Sequence, residues 1–298
     1  MNILIVGKVT SGQTDRLKEE GRARGHRVDN VSSRSLVIDA SVASFNPYIK
    51  GVGISQYDLV YMLTVGDRKW EWYLAMRYFA KEHNIVVVER KMIDSSKKIF
   101  FTPNAELLKQ VENGINFPRS VTVMEPRGLG EVLQEFEFPV VLKVGALQRG
   151  LGVFRADDLQ GLMGIIKKYS DQSVFMIREF IPNDGDIRVF TIGYKAIGAM
   201  KRVPPEGDFR SNISRGGRGV PFELASNPEV AAIAEKLSTL NETEIAGVDI
   251  IRHKDTGRFY VLEINRGPQF RGLEESTGIN VAGKMIEYFE SKLAYKKA

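Results

Sequence analysis

The first 95 residues alternate short apolar runs with polar, amphipathic stretches, and this alternation restricts the fold more than any other feature of the chain. The apolar runs lie at residues 3–6, 59–63 and 85–88, and the amphipathic stretches at 14–24 and 70–82. The runs have the length of buried strands, whereas the stretches have helical spacing. Strands and helices in alternation form βαβ units on a parallel sheet. We therefore predict a small α/β domain over residues 1–95.

The turn after the first apolar run reads GKVTSGQT. It lacks both the GxxxxGK[ST] spacing of a P-loop and the GxGxxG spacing of a dinucleotide fold. We predict a plain strand-to-helix turn at this point.

Residues 96–178 form a second unit in which a glycine-containing loop follows an apolar run. Its predicted elements are a helix at 105–112 ended by Gly114, a strand at 120–123, a helix at 129–136 and a strand at 139–144. The loop itself, GALQRGLG at 145–152, returns at once to the apolar Val153 and Phe154. Glycine lets bare backbone amides approach phosphate oxygens, so the loop is typical of a lid over a nucleotide. An ordinary hairpin turn is the alternative.

Residues 179–298 are typical of a sheet flanked by helices. Strands are predicted at 187–192, 196–203, 247–252 and 259–265, and helices at 228–240 and 280–293. Because no repeat or proline-rich linker interrupts the chain, we expect three packed units with a hinge near 179–183. We predict an α/β fold in which two lobes, residues 96–178 and 179–298, follow the N-terminal domain.

The amino-acid composition limits the metal sites and the membrane segments that this chain can form. The chain has no cysteine, which excludes thiolate zinc sites, and its three histidines disfavour a histidine-rich metal site, so we expect any metal to be held mainly by oxygen. The apolar start MNILIVGK is too short for a signal peptide, and no later run approaches the roughly 18 apolar residues of a membrane span. We predict a cytoplasmic protein without a membrane partner.

The net charge of +5 favours an anionic partner. Basic residues are spread along the chain and mixed with 37 acidic ones, which is not the pattern of a nucleic-acid-binding stripe. A small anionic substrate such as a nucleotide accounts for the excess equally well. We predict no nucleic-acid partner.

Two predicted strands near the C-terminus carry acidic and amide side chains. Alternate residues of a strand share a face, so Glu263 and Asn265 project together while Leu262 and Ile264 are expected in the core. Asp249 lies within the preceding apolar run, where an unpaired charge is costly. If these strands form a hairpin, three oxygen ligands meet, and such a set suits Mg²⁺. The alternative is that these acids pair with arginines at a sheet end.

Residues 201–217 concentrate cations, amides and glycines in one loop. Arginine forks bind carboxylate or phosphate in a bidentate manner, and the glycines let main-chain amides close on the same group. An exposed basic loop is the alternative. Lys143 ends an apolar strand, where a lysine is excluded unless it has a partner, and a nucleotide phosphate would be one.

These segments together resemble one known family. The order FPVVLKVGALQRGLGV, IREFIPNDGDIRVF, EGDFRSNISRGG, AGVDII and VLEINRGP, followed by ESTGINVAGKMIEYF, is similar to the ATP-grasp ligases, in particular to the RimK type. RimK-type enzymes add glutamate to the C-terminus of a ribosomal protein. The resemblance is close over residues 90–290 and architectural over the first 90.

The resemblance implies an ATP-grasp fold, in which two α+β lobes grip ATP, and it implies roles for particular residues. The residues implied to hold ATP are Lys98 (or its neighbour Lys97), Lys143, Gln148, Arg149, Gly150, Gly152, Glu179, Phe180, Ile181 and Asp186. Those implied to line the reacting phosphate and acyl group are Arg188, Arg202, Arg210 and Asn212. Asp249, Glu263 and Asn265 match the Mg²⁺ ligands, with Mn²⁺ as an alternative metal.

The chain departs from the RimK pattern after Asn265, where it reads RGPQFR in place of the usual alanine, serine, proline and glycine. Arg266 and Arg271 favour an acidic substrate, and structural ion pairs are the alternative. We expect an ATP- and Mg²⁺-dependent ligase that forms an amide through an acyl phosphate. The expected substrates are an amino acid, with glutamate favoured, and a carboxylate-bearing peptide, protein tail or small molecule. A ligase for a cofactor or small amino-acid compound and a nucleotide-binding regulator without turnover are the alternatives, and relatives suggest a homodimer or homotetramer.

Overall fold

The computed structural model of the protein describes residues 1–9, 11–94, 102–124, 129, 133–145, 152–169, 174–211 and 216–297. No helix among these residues is long and apolar enough to cross a membrane.

The N-terminal unit is built on a parallel sheet. Its elements are β1 (Asn2–Gly7), α1 (Gly12–Ala23), β2 (Arg27–Ser32), β5 (Leu59–Met62), α2 (Lys69–Glu82) and β6 (Val86–Val88). The four strands run parallel in the order β2-β1-β5-β6. The α/β alternation predicted for this region is confirmed.

Local signals place the first helix. The hydroxyl of Ser11 caps α1 by accepting a hydrogen bond from the backbone N–H of Thr14 at 3.3 Å, and the chain turns after the helix at Gly25, whose φ is 74°. The strand-to-helix turn predicted here is therefore present, with a side-chain cap at its end.

An antiparallel hairpin inserted between β2 and β5 was not predicted. It consists of β3 (Leu36–Ala40) and β4 (Phe45–Ile49). The second strand contains Pro47, which normally argues against a strand because it lacks an N–H for the ladder. Short 3₁₀ turns complete this unit at Ile54–Gln56, Gly66–Arg68 and Arg90–Met92.

The middle lobe is an antiparallel sheet with its own apolar core. Its elements are β7 (Ser120–Val123), β8 (Val140–Val144), β9 (Val153–Ala156), α4 (Leu159–Lys168) and β10 (Phe175–Glu179), and the strand order is β7-β10-β8-β9. The preceding helix α3 (Pro103–Glu112) also reaches the third unit, because Lys109 donates a hydrogen bond to the carbonyl of Leu240 at 3.0 Å. The helix predicted at 129–136 lies mostly outside the described residues.

The C-terminal lobe contains a five-stranded antiparallel sheet in the order β13-β12-β11-β14-β15. Its elements are β11 (Asp186–Ile192), β12 (Lys195–Val203), β13 (Arg218–Phe222), α5 (Pro228–Leu240), β14 (Ile245–Arg252), β15 (Phe259–Arg266), α6 (Arg271–Thr277) and α7 (Val281–Lys297). The division of the chain at residues 95 and 178 stays a prediction.

The two faces of this sheet differ in chemistry. One face is mainly apolar and packs against α5, with Val189, Val248 and Ile264 among its buried side chains. On the opposite face, Phe190 and Met200 pack toward the N-terminal unit, whereas the other end of the same face carries charged side chains. The sheet thus supports an apolar domain contact and a polar site on a single surface.

The N-terminal unit and the C-terminal lobe share one core. Ile3 and Ile5 of β1 belong to the same buried cluster as Phe190 of β11 and Phe289 of α7. The segment after β15 adds to this contact, since Gln13 donates a hydrogen bond to the carbonyl of Pro268 at 2.6 Å.

Gly267 lies where that segment meets the N-terminal sheet. Its φ is 59°, and a Cβ atom placed on it would lie 2.1 Å from the carbonyl oxygen of Leu63. We expect Gly267→Ala to lower the free energy of unfolding by about 2 to 4 kcal/mol, because left-handed strain adds to a backbone clash. Gly278→Ala is the control: φ is 73° and nothing lies within 4 Å, so the expected loss is about 1 kcal/mol. Urea unfolding measures the loss of stability in each variant. Equal losses in the two variants would contradict the close approach of Gly267 to the carbonyl of Leu63.

Two glutamates join the same two units by accepting hydrogen bonds from each other's backbone. Glu244 accepts from the amides of Glu89 at 2.5 Å and Arg90 at 2.8 Å, while Glu89 accepts from the amides of Glu244 at 3.2 Å and Ile245 at 2.9 Å. Both side chains are buried. Tyr288 donates a further hydrogen bond to Glu244 at 2.7 Å.

This arrangement predicts a dependence of stability on pH. Burial raises the pKa of Glu89 to about 7, despite the backbone hydrogen bonds that it accepts. The native state therefore holds a proton that the unfolded state releases near pH 4.5, so stability falls as the pH rises from about 4.5 to about 7 and is then constant. The expected loss is on the order of 3 kcal/mol.

Glu89→Gln removes this titration. Glutamine keeps only one of the two acceptor oxygens, which costs stability at every pH, but only the parent loses further stability as the pH rises. We therefore expect the difference in the free energy of unfolding to shift in favour of the variant from pH 5 to pH 8, as measured by urea unfolding at each pH. Glu229→Gln, at an exposed position of α5, is the control and should follow the parent. Parallel curves for Glu89→Gln and the parent would exclude Glu89 as the source of the slope.

Candidate functional site

Three oxygen-bearing side chains meet on the charged face of the C-terminal sheet. Asp249 of β14 lies opposite Glu263 of β15 in the strand register. The amide nitrogen of Asn265 lies 3.3 Å from Asp249 Oδ2 and 3.0 Å from Glu263 Oε1. The convergence expected from the sequence is therefore present in the structure, while the role of these residues as metal ligands stays a prediction.

A β-bulge determines which way these side chains point. Asp249 pairs with Glu263, but its neighbour Ile250 pairs with Val261, so Leu262 is an extra residue without a partner in the ladder. Val261 is buried in the apolar core, and regular alternation from it would turn Glu263 into that core. The extra residue reverses the alternation and places Glu263 beside Asp249. The expectation that Leu262 enters the core was wrong for this reason: Val261 takes that place, and Leu262 is only partly buried.

Asp249 also belongs to a buried network of two acids and two arginines. Arg188 binds it in a bidentate manner, with Nε–Oδ1 and Nη2–Oδ2 distances of 2.7 and 2.6 Å. Arg202 lies 2.9 Å from Asp249 Oδ2 and also contacts Asp186 with Nε at 2.9 Å from Oδ1. Ser211 donates to the same Asp186 oxygen at 2.7 Å. The arginine pairing considered as an alternative for Asp249 is therefore present together with the convergence of oxygens.

The network keeps Asp249 and Arg202 charged. Burial would raise the pKa of Asp249, but Arg188 and Arg202 outweigh it and lower that pKa to about 2. Burial would lower the pKa of Arg202, but Asp249 and Asp186 raise it above its ordinary value. Asp249 is thus an ionised carboxylate at neutral pH.

Lys143 approaches this site from the middle lobe. Its Nζ lies 3.5 Å from Glu263 Oε2, and its side chain is 29% exposed, so it lines a cleft that water can enter. Burial lowers the pKa of Lys143, although the carboxylate of Glu263 opposes that shift. A lysine and an acidic site thus face each other across two lobes.

The other predicted nucleotide-binding residues lie at the junction of the lobes. Ile181 is buried, Glu179 is exposed, and Phe180 is covered by the guanidinium of Arg155, 4.6 Å from the ring centroid. The carbonyl of Gly152 accepts a hydrogen bond from the backbone of Val144 at 2.8 Å. The hinge expected after β10 stays a prediction.

Arg210 spans the two lobes but is also held locally. It binds Asp208 through Nε at 2.9 Å and Nη2 at 2.8 Å, and its Nη1 lies 3.3 Å from the carbonyl oxygen of Val153 on β9. Five predicted site residues lie outside the described residues: Lys98, Gln148, Arg149, Gly150 and Asn212.

Sequence reasoning missed two charged residues near the site, namely Glu106 and Arg178, whereas it did single out Arg266. Arg178 of β10 is 5% exposed and donates a hydrogen bond to the carbonyl of Leu262 at 2.8 Å. Burial raises the pKa of Glu106 on α3 to about 7, although Arg266 opposes that shift. A charge within the apolar run VFMIREF was a signal for Arg178, since such residues are seldom buried without a partner. The helical position of Glu106 gave no such signal.

The segment RGPQFR, which departs from the RimK pattern, has a structural role. Arg266 is partly buried, and burial lowers its pKa while Glu106 and Glu89 oppose this. Arg271 binds Glu275 at 3.1 Å on the surface. Phe270, which lies between Arg266 and Arg271 in the sequence, has a fully buried ring. The ion-pair alternative considered for these arginines therefore describes Arg271.

The donor set fits Mg²⁺. Two carboxylates and one amide are hard oxygen donors, and Mg²⁺ takes few protein ligands because it keeps water and binds substrate phosphates. The amide nitrogen of Asn265 faces the two carboxylates here, and a half-turn of the amide group places its oxygen at the same point. In the part of the chain that the structure describes, no group of three or more acidic or histidine side chains is placed to hold a metal without such an amide.

Comparison with known proteins identifies the fold and the family that the resemblance in the sequence implied. A RimK-like ATP-grasp domain matches residues 104–289. A probable alpha-L-glutamate ligase of Vibrio atlanticus is 32% identical over 284 residues, which cover 93% of this chain and 91% of that protein.

Solved structures share the fold at lower identity. The ATP-grasp ligase PsnB, complexed with a phosphomimetic variant of its minimal precursor, Mg and ADP, superposes with a TM-score of 0.70 at 19% identity and covers 98% of both chains. The macrocyclase MdnC of Microcystis aeruginosa, bound with the precursor peptide MdnA, has a TM-score of 0.69 at 16% identity and covers 98% of this chain and 100% of its own.

Proposed function

This chain belongs to the RimK-like ATP-grasp family and is an ATP-dependent ligase, and we propose that it joins glutamate, through its amino group, to a carboxylate of a peptide or protein tail. The observation that carries this proposal is the convergence of Asp249, Glu263 and Asn265 opposite Lys143. An acidic oxygen site and a lysine on facing lobes are what a metal-bound triphosphate requires.

The proposed reaction has two steps. A carboxylate oxygen of the acceptor attacks the γ-phosphorus of ATP, the bond between that phosphorus and the bridging oxygen breaks, and ADP leaves. The amine of glutamate then attacks the acyl carbon, the carbon–oxygen bond to phosphate breaks, and an amide and inorganic phosphate form. The amine loses one proton in this step. A carboxylate is a poor electrophile, so its activation is the step that ATP drives.

The residues of the chain contribute position and charge. Asp249, Glu263 and Asn265 would hold Mg²⁺, which supplies charge neutralisation for phosphoryl transfer. Lys143 would bind phosphate oxygens from the opposite lobe. Because Arg202 is 5% exposed and lies between two carboxylates, its position favours a role in keeping Asp249 ionised and oriented.

The choice of glutamate and of a peptide acceptor rests on similarity and on charge. The Vibrio relative is named a probable alpha-L-glutamate ligase, and the PsnB and MdnC structures hold precursor peptides. Arg266 is the last residue of β15, the proposed metal strand, and the cleft also carries Lys143 and Arg178. Cations in the cleft favour acidic substrates.

The experiment combines the purified protein with ATP, Mg²⁺, isotope-labelled amino acids and a desalted cell extract. We expect ADP release that depends on the extract, and peptides or proteins whose mass increases by one or more labelled glutamates. Labelled small molecules instead of peptides would support the alternative of a ligase for a cofactor. ATP binding without any amide product across all amino acids would favour a regulator and contradict the proposal.

A further inference from the structure

Arg178 connects the two lobes at the bulge of β15. It projects from β10 on the same face of the middle sheet as Lys143, since Lys143 lies opposite Met176 and Arg178 follows two residues later. Its Nη1 donates a hydrogen bond to the carbonyl of Leu262 at 2.8 Å. Leu262 is the extra residue that turns Glu263 toward Asp249.

The surroundings of Arg178 make this bond more than an incidental contact. The side chain is 5% exposed, and its Nε has no hydrogen-bond partner within the described part of the chain. Burial lowers the pKa of Arg178, and the nearby carboxylates of Glu263 and Glu106 oppose that effect. A buried guanidinium is costly, so a single strong contact to the bulge is the main direct bond that offsets its burial.

The extra residue of a bulge is left out of the ladder, so its carbonyl needs another donor. Without one, β15 can shift by one residue toward regular alternation, and such a shift would move Glu263 from the cleft to the core face. The donor comes from the other lobe, so this bond to Leu262 forms only while the lobes are together, whereas the amide of the adjacent Val261 is held by the carbonyl of Asn116 at 2.8 Å.

We propose that Arg178 is a positioning residue, which holds the carbonyl of Leu262 and so keeps Glu263 beside Asp249 in the metal site. This inference rests on the proposed function, because it takes Glu263 as a metal ligand. Arg178 thereby couples the approach of the lobes to completion of the metal site.

The test is Mn²⁺ binding in the presence of ADP, measured from the electron paramagnetic resonance signal of free Mn²⁺. We expect Arg178→Met to weaken Mn²⁺ binding by about tenfold to a hundredfold. The affinity for ADP without metal should change by less than about threefold, because the bond acts on the strand and not on the nucleotide. Arg178→Lys, which keeps the charge and one donor, should recover part of the loss.

A second readout follows the strand itself. Backbone amides of residues 259–266 should exchange with deuterium faster in Arg178→Met than in the parent, without metal or nucleotide. The matched control is Arg119→Met. Arg119 directly precedes β7, the strand that pairs with β10, and its side chain is exposed and binds Glu135. The control should leave both Mn²⁺ binding and exchange unchanged.

Glu263→Gln separates the two proposals. If it weakens Mn²⁺ binding and Arg178→Met does not, the metal site stands and the positioning role is overturned. If neither variant weakens binding, both are overturned. If Arg178→Met does not fold, Arg178→Lys decides in the same way, since unchanged Mn²⁺ binding and unchanged exchange in that variant overturn the role of Arg178.

Discussion

Replacing Glu263 by glutamine is expected to lower turnover by on the order of a hundredfold to a thousandfold while the protein stays folded. Its side chain is 43% exposed, and its described contacts are Lys143 at 3.5 Å and Asn265 at 3.0 Å. Glutamine keeps one acceptor oxygen, so we expect a stability change below about 1 kcal/mol. Steady-state ADP release and urea unfolding measure the two effects.

The control for Glu263→Gln is Glu275→Gln, which removes an exposed carboxylate paired with Arg271. This control should change neither turnover nor the free energy of unfolding beyond experimental scatter. The loss in Glu263→Gln should be partly restored at high Mg²⁺, since a missing ligand weakens metal affinity. Full activity at ordinary Mg²⁺ would remove Glu263 from the metal site.

Replacing Arg202 by alanine is expected to lower both stability and turnover. Asp186 and Asp249 are each 3% exposed and would lose a charged partner, so we expect a loss of about 3 to 5 kcal/mol in the free energy of unfolding. Turnover of the remaining folded protein should fall by on the order of a hundredfold to a thousandfold, because Asp249 is no longer held in place. Urea unfolding measures the loss of stability. ADP release, under conditions that keep the variant folded, measures the loss of turnover separately.

The neighbouring Lys201 provides the control for Arg202. It binds Asp184, which is 61% exposed, so Lys201→Ala should cost less than about 1 kcal/mol. Arg202→Lys should regain part of the stability, because it keeps the charge without the planar fork. Near-normal turnover in Arg202→Ala would show that Asp249 needs no support from this arginine.

The sequence was sufficient to predict most strands and helices because apolar periodicity is strong in this chain. It was also sufficient to predict that Asp249, Glu263 and Asn265 converge, since alternation along one strand and pairing with the next are local rules. It was not sufficient to predict the hairpin of β3 and β4, because Pro47 within β4 normally argues against a strand.

The errors in the site have a common physical cause. The bulge at Leu262 depends on pairing between strands and on a donor from another lobe, and neither is visible in a single strand's pattern. The pairing of Asp249 with arginines was considered as an alternative, but its partners Arg188 and Arg202 follow from the sheet order and could not be named from the sequence. Phosphate contacts predicted at Lys98, Gln148, Arg149, Gly150 and Asn212 stay predictions, as does assembly into a dimer or tetramer.

The seating of Gly267 and Pro268 against the N-terminal sheet has a consequence for chimeric enzymes. These residues follow the proposed metal strand directly, yet Gly267 approaches Leu63 and the carbonyl of Pro268 accepts a hydrogen bond from Gln13, both in the N-terminal unit. A graft that exchanges the N-terminal unit for a relative's, with the aim of changing acceptor choice, therefore has to transfer residues 266–271 with it. Without that segment, the foreign unit would meet a mismatched surface at Gly267, two residues after Asn265.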